Sequence, residues 1–278
     1  LVGSEMCIRD SSNSGTLTVI AGTITSTNQI GIYNTSTGKL TVGTKETTPS
    51  VSTTVPSITG KTYGISNQGG TFNFYDGVIK GQSGAGTAIN GTVTETETGY
   101  GVRKTVATAN DVTTETALLV KANYAEYNGS TFVNNYETLA SATTYVTSGN
   151  TIKPLVNRTE TIESTVTSSK TVTLDLNGKT ITLDGVTLKN NGTLTITGTG
   201  TLTGSGANTV TNAGTLTKTG TSTIANTATD TYSAIHNTGT ATISAGTING
   251  SYRAIGNSGT LTVTAGTITA TNQIGIYN

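Results

Sequence analysis

The chain lacks tryptophan altogether, holds one cysteine, one methionine and three prolines, and is only 11% charged over its 278 residues. Each shortage excludes something. One cysteine makes no intrachain disulfide and no thiolate metal cluster. Fifteen basic residues against fifteen acidic ones leave no net charge. That balance gives no electrostatic footprint for nucleic acid or for an anionic membrane surface. No apolar run is long enough to insert into a bilayer. A hydrophobic content of 33% would suit a disordered chain if the apolar residues were scattered. They are instead strictly patterned, which points to folded β structure.

The first ten residues, LVGSEMCIRD, resemble nothing in the rest of the chain. They look like the translated end of a transposon-type sequencing adaptor, which Ser11 would complete. Residues 1–11 are therefore set aside from the fold. Cys7 and Met6 go with them, so the remainder has no cysteine and carries 14 basic against 13 acidic residues. No signal peptide or wall anchor is visible. Both ends read as cut, so this says nothing about location.

What remains is rich in threonine, about a quarter of the chain, and in glycine, with 35 residues. Repeats organise it at two scales. NSGTLTVIAGTITSTNQIGIYN at Asn13–Asn34 recurs as NSGTLTVTAGTITATNQIGIYN at Asn257–Asn278, identical at 20 of 22 positions and 244 residues apart. Only Ile20/Thr264 and Ser26/Ala270 differ, as expected of a duplicated module. Within the module, Asn191, Asn212, Asn237, Asn257 and Asn278 close shorter segments at steps of 21, 25, 20 and 21. Phe72, Phe74, Gly77, Ile79 and Gly81 fall opposite Ala241, Ile243, Gly246, Ile248 and Gly250 in a more divergent copy.

Each short segment holds three alternating runs punctuated by Gly or Asn. Leu17 and Val19, then Ile24, then Ile30 and Ile32 share one face, while Thr16, Thr18, Thr23 and Thr25 take the other. β-Branched threonine suits an exposed pleated strand. Runs this short bury nothing alone; stacked coils close a continuous core. The pattern predicts an all-β, right-handed parallel β-helix with three-strand coils of about 20–22 residues, each adding about 4.8 Å along the axis. The glycine before each Thr-apolar-Thr run is expected to supply a bend with positive φ. The asparagines are expected to form an amide ladder at one corner.

The pattern weakens between about Thr92 and Ser169. TVTETETGYGVRKTVATANDVTTETA reads as a polar connection. Ala117–Val120 and Tyr124–Tyr127 read as strands, and Asn128-Gly129 as a hairpin turn. A short helix is predicted from a cap at Asn135 through Val146, with Tyr136, Leu139, Thr143 and Val146 on one face and Gly149 as terminator. A strand follows at Ile152–Val156. The organisation expected is an adaptor at 1–11, the last coils of an upstream module at 12–98, a connection and N-terminal cap at 99–169, and the coils of a downstream module at 170–278.

KTVTLDLNGKTIT at Lys170–Thr182 carries a family resemblance. It is similar to the opening motif of pectin-lyase-like β-helix modules in surface proteins of Gram-positive, gut-type bacteria, where a Tyr-containing segment with a small helix precedes it. The resemblance covers Ala117 onward, with the coils of Asn13–Gly91 as a preceding module. It implies a bacterial cell-surface or secreted protein. Fold alone assigns no activity.

Catalysis on polysaccharides would need paired carboxylates, or a base with carboxylate-held calcium. Asp76, Asp111, Asp175, Asp184 and Asp230 are scattered, and Asp175 and Asp184 belong to the opening motif. His236 is the only histidine, at a position that carries Tyr33, Ser66, Gly256 and Tyr277 in other coils; such variation marks a solvent-facing site. One histidine makes neither triad nor metal cluster. Arg103, Arg158 and Arg253 are isolated, and Glu95 and Glu97 lie in the polar connection as a solvated face. Gly204-Ser205-Gly206 lacks the strand–helix context of a phosphate loop.

The reading is therefore non-catalytic, with no catalytic, cofactor-binding or metal residues and no cofactor. A rigid, adhesin-like stalk is expected, with surface glycans or host matrix as partners and no nucleic acid. A carbohydrate-active enzyme or its inactive remnant is the alternative. Ice binding through Thr-x-Thr arrays is a distant third, since threonine occupies all three runs rather than one face.

Overall fold

The computed structural model describes residues 11–48 and 50–278. Of residues 1–11, read as an adaptor, the first ten, with Cys7 and Met6, lie outside them; Ser11 is described and pairs with Ile32 in a strand. The chain divides into two compact units, one ending at Lys121 and one beginning at Ala122. The division falls inside the segment 99–169 that the sequence reads as connection and cap.

In the second unit, three parallel sheets wind together as a β-helix. The first run of successive coils forms Thr171–Asp175, Thr193–Thr197, Thr215–Lys218, Thr240–Ile243 and Thr260–Val263. The second forms Lys179–Asp184, Gly200–Ser205, Thr223–Asn226, Thr247–Gly250 and Thr267–Ala270. The third forms Leu188–Asn190, Val210–Asn212, Ser233–Asn237, Arg253–Asn257 and Ile274–Tyr277. Thr171, Thr193, Thr215, Thr240 and Thr260 stack in register, so the coils are 22, 22, 25 and 20 residues long. The longest exceeds the expected length.

Like stacks on like along the interior. Leu194 over Leu216, Ile181 over Leu202 over Ile224, and Val210 over Ile235 over Ile255 are all buried. Each aliphatic side chain withdrawn from water contributes about 1.5–3 kcal/mol. Every coil therefore stabilises its neighbours through side chains as well as ladder hydrogen bonds.

The amide ladder exists, with one correction. Its members are Asn190, Asn212, Asn237, Asn257 and Asn278; Asn191 is exposed and takes no part. Each Nδ2 donates to the next Oδ1, at 2.6, 2.7, 2.7 and 2.6 Å. The first-run glycines also differ from expectation. Gly214, Gly239 and Gly259 do not have positive φ; a Cβ on any of them would collide with the carbonyl of the glycine one coil back. Close backbone approach is what requires glycine there. Positive φ belongs to the second-run glycines, such as Gly22 at 87° and Gly246 at 79°.

The first unit repeats the scheme. Ser11–Asn13, Ile32–Asn34 and Ile65–Asn67 pair in parallel, and their ladder runs Asn13 to Asn34 to Asn67 at 2.8 Å per step. Phe72 and Phe74 take the inward positions of the divergent copy and are fully buried. Residues 43–56 enlarge one coil: Thr23 pairs with Ser57, 34 residues on.

The polar segment expected to be a connection forms a long hairpin, Tyr100–Ala109 and Val112–Lys121, turning at Asn110 and Asp111 with φ of 50° and 61°. Two left-handed residues make the turn that suits twisted strands. Its second strand runs antiparallel to Val78–Gly81 and buries Ala117 and Leu119. The hairpin covers a sheet edge that would otherwise present unpaired backbone groups.

The second unit opens with a second hairpin, Tyr124–Asn128 and Thr131–Tyr136, turning at Gly129. The helix is Leu139–Tyr145. Asn135 is not its cap; it pairs with Ala125 in the hairpin. Thr138 caps the helix, accepting from the Ser141 amide at 3.1 Å while Ser141 Oγ accepts from the Thr138 amide. Tyr136, Leu139, Thr143 and Val146 are buried, as their spacing predicts. The helix ends at Val146, before Gly149. Lys170, first residue of the opening motif, donates to the carbonyls of Thr143, Thr144 and Val146 at 3.2, 2.5 and 2.9 Å. It thereby satisfies the helix's C-terminal carbonyls.

Candidate functional site

Of the five aspartates, Asp175 and Asp76 have structural partners. Asp175 accepts from the Asn177 amide at 3.0 Å and pairs with Lys153 at 3.1 Å. Asp175 and Asp184 stand on different sheets of the opening coil. Asp76 accepts from the amides of Ser52 and Gly77. Among the described residues, no three His, Cys, Asp or Glu side chains gather as a metal site.

Glu97 is not on a solvated face. It is 1% exposed and accepts from the amides of Glu46 and Thr98 at 3.0 and 2.9 Å. Glu95 pairs with Lys45 and accepts from the Tyr75 hydroxyl at 2.5 Å. Burial, then that hydrogen bond, pushes the Tyr75 phenol up to about 12. Glu115 closes a loop by accepting from Gly86 and Ala88 at 2.9 and 2.8 Å. Glu126 accepts from Tyr136, from the Thr147 amide and from Asn150. Glu160 accepts from Tyr124 at 2.8 Å, and burial raises its pKa. The buried acids Glu97, Glu115, Glu126 and Glu160 tie loops and caps to the coils, where an unpaired carboxylate would be costly.

The outward side chains separate the three sheets. On the first, Thr171, Thr193, Thr215, Thr240 and Thr260 form one column, and Thr173, Thr195, Thr217, Thr242 and Thr262 a second. On the third, the in-register outward column reads Thr165, Lys189, Thr211, His236, Gly256 and Tyr277. In the first unit it reads Ser12, Tyr33 and Ser66. In the second unit the first sheet repeats threonine, the second breaks it at Ala225 and Asn249, and the third changes its outward chemistry at every coil. In the first unit the other sheets vary as well, reading Thr18, Thr41, Asn73 and Glu95 on the first and Thr25, Thr59 and Lys80 on the second.

His236 is partly covered, and Ser66, at the equivalent position, is buried, so the column is not uniformly solvent-facing. The His236 ring leans over Gly256, where an added Cβ would lie 3.4 Å from its Nδ1. Arg253 is not isolated. Its guanidinium carbon lies 4.9 Å from the Tyr252 ring centre and 4.2 Å from that of Tyr277. His236, Tyr252, Arg253 and Tyr277 therefore gather on the outer side of three successive coils. The coil period could not reveal this, because Arg253 is in register with Ile274 and reaches Tyr277 diagonally.

Searches against family models, curated proteins and solved structures return no match to this chain.

Proposed function

We propose that this chain is a non-catalytic, adhesin-like repeat protein of the bacterial cell surface or secreted space. Its coils hold the third sheet as a recognition face for surface glycans or host matrix. One observation carries the reading: in the second unit, outward variation is concentrated on that sheet, beside a first sheet that repeats threonine at every coil. Fold maintenance explains the repeated threonines. It does not explain a column that passes from Lys189 through His236 to Tyr277. Aromatic, cationic and hydrogen-bonding residues on a rigid support are the composition of binding hot spots.

The test is an array of glycans and extracellular-matrix proteins probed with the purified chain, alongside assays on neutral and acidic polysaccharides. Saturable binding to a defined class with no turnover is expected. Cleavage of any polysaccharide would overturn the non-catalytic reading, and silence across the array would overturn recognition.

The first sheet supports a second reading. Five successive coils there present Thr-x-Thr in register. The second sheet breaks the same pattern at Ala225 and Asn249. Threonines spaced about 4.8 Å across strands and about 6.7 Å along them form a regular hydroxyl and methyl lattice of the kind that orders water. An ice-recrystallisation assay with Thr217→Lys as control decides it.

A further inference from the structure

Arg253 is the single formal charge between Thr231 and Asn278. The four ion pairs among the described residues involve other cations: Lys45, Lys153, Arg158 and Lys189. No side-chain hydrogen bond joins Arg253 to another described residue. Two tyrosine rings hold its guanidinium instead, at 4.9 and 4.2 Å. Contacts of that kind fix a guanidinium's position without satisfying its N–H groups. The donor fork is thus in place with its protein acceptors missing, and the Tyr277 ring stands beside it; Tyr33, at the same position of the duplicated coil with a further coil stacked on it, is half-exposed.

We propose that Arg253, Tyr252 and Tyr277 form a binding site for a single carboxylate on an otherwise neutral glycan, the chemistry of a terminal sialic acid. The proposal rests on the glycan-recognition reading above. A planar carboxylate fits the guanidinium fork through two charge-assisted hydrogen bonds. A half-exposed phenol ring offers an apolar face to the C–H side of a sugar and a hydroxyl to its polar edge. Because the rings already hold Arg253, less side-chain freedom is lost on binding.

The surroundings select for an isolated charge. The third-sheet column next to Arg253 carries no other formal charge until Lys189, three coils away or about 14 Å. Lys189 is itself paired with Glu163 at 2.7 Å. A polyuronate, with a carboxylate on every ring, would find one cation and lay its remaining charges over neutral threonines. A neutral chain ending in one acidic sugar loses no such charge–water contacts.

Titration of the full 278-residue chain with sialyllactose, its methyl ester, lactose and polygalacturonate tests the proposal. Sialyllactose should bind about tenfold or more tighter than lactose or the ester, the margin expected of a hydrogen-bonded charge. Arg253→Gln should erase that margin, and Tyr277→Ala should weaken sialyllactose several-fold, with the far-UV circular dichroism of both variants unchanged. Equal binding of lactose, or undiminished binding by Arg253→Gln, overturns the site while leaving glycan recognition standing. Tighter binding of polygalacturonate than of sialyllactose overturns the preference for an isolated charge. Binding of none of these, on a chain that does bind other glycans on the array, overturns the site alone; no binding to any glycan overturns both readings.

Discussion

Asn212 accepts from Asn190 at 2.6 Å and donates to Asn237 at 2.7 Å and to the Thr240 carbonyl at 3.0 Å. Removing it strips a partner from one Asn190 amide hydrogen, from the Asn237 oxygen and from the Thr240 carbonyl in a buried corner, while the other Asn190 hydrogen keeps the Thr215 carbonyl. Each buried group left unpaired costs about 1–3 kcal/mol. Asn212→Ala should therefore lower the unfolding free energy by at least that much, read in urea as a lower midpoint with little change in slope. Lys218 fills an inward position between Ile196 and Ile243 and is fully buried, donating to the carbonyls of Thr219, Gly220 and Ala245. Burial lowers its pKa from 10.5 to about 8. Between those values the unfolded chain binds the extra proton, so stability should rise as pH climbs from about 8 toward 10.5. Lys218→Ile should lose this rise, visible as the difference between the two chains' unfolding free energies across that range. The sequence pattern locates such residues only to within a neighbour. Asn190 and Asn191 satisfy the same coil spacing, and strand parity decides that Asn190 points inward.

Elements were legible where the chain alternates with period two and a glycine or asparagine marks each corner. Thr193–Thr197 and Gly200–Ser205 needed nothing more. Of the hairpin Tyr100–Ala109 and Val112–Lys121 only the stretch Ala117–Val120 read as strand; the rest escaped because it commits few residues to the core and so lacks the apolar alternation that announces a strand. The buried acids Glu97 and Glu115 escaped with it, since their donors are backbone amides, which no side-chain pattern encodes. The helix was found from its buried face, but its start was displaced from Thr138 to Asn135, because both residue types cap. Two substitutions separate the contributions at its ends. Thr138→Ala should cost about 1 kcal/mol by removing the N-terminal cap. Lys170→Met should cost a comparable amount, about 0.3–2 kcal/mol, by stripping the C-terminal carbonyls of their ammonium. Thermal unfolding of each variant checks both, and unchanged melting of Lys170→Met would mean that the opening motif's lysine does not hold the cap.

Across the whole molecule, the 20-of-22 match between Asn13–Asn34 and Asn257–Asn278 shows one coil in two settings. In the first unit its strands pair with the coil that follows it, Thr16–Val19 against Lys39–Val42. In the second they pair with the coil that precedes it, Thr260–Val263 against Thr240–Ile243. Both edges of the same coil therefore accept β-helical neighbours, the property that lets such a module be multiplied. The sequence showed this periodicity; it did not show the grouping of His236, Tyr252, Arg253 and Tyr277, which depends on a diagonal reach between coils. The central claim is that recognition belongs to the third sheet and the other sheets carry it. The direct measurement is ligand binding by a chain with that column levelled to threonine, Lys189→Thr, His236→Thr, Arg253→Thr and Tyr277→Thr together, against a chain altered on the first sheet, Thr195→Lys and Thr242→Lys, with circular dichroism to establish that both keep the fold. The account predicts that the levelled chain loses binding and the first-sheet variant keeps it; retained binding by the levelled chain, or its loss through the first-sheet changes alone, would contradict it.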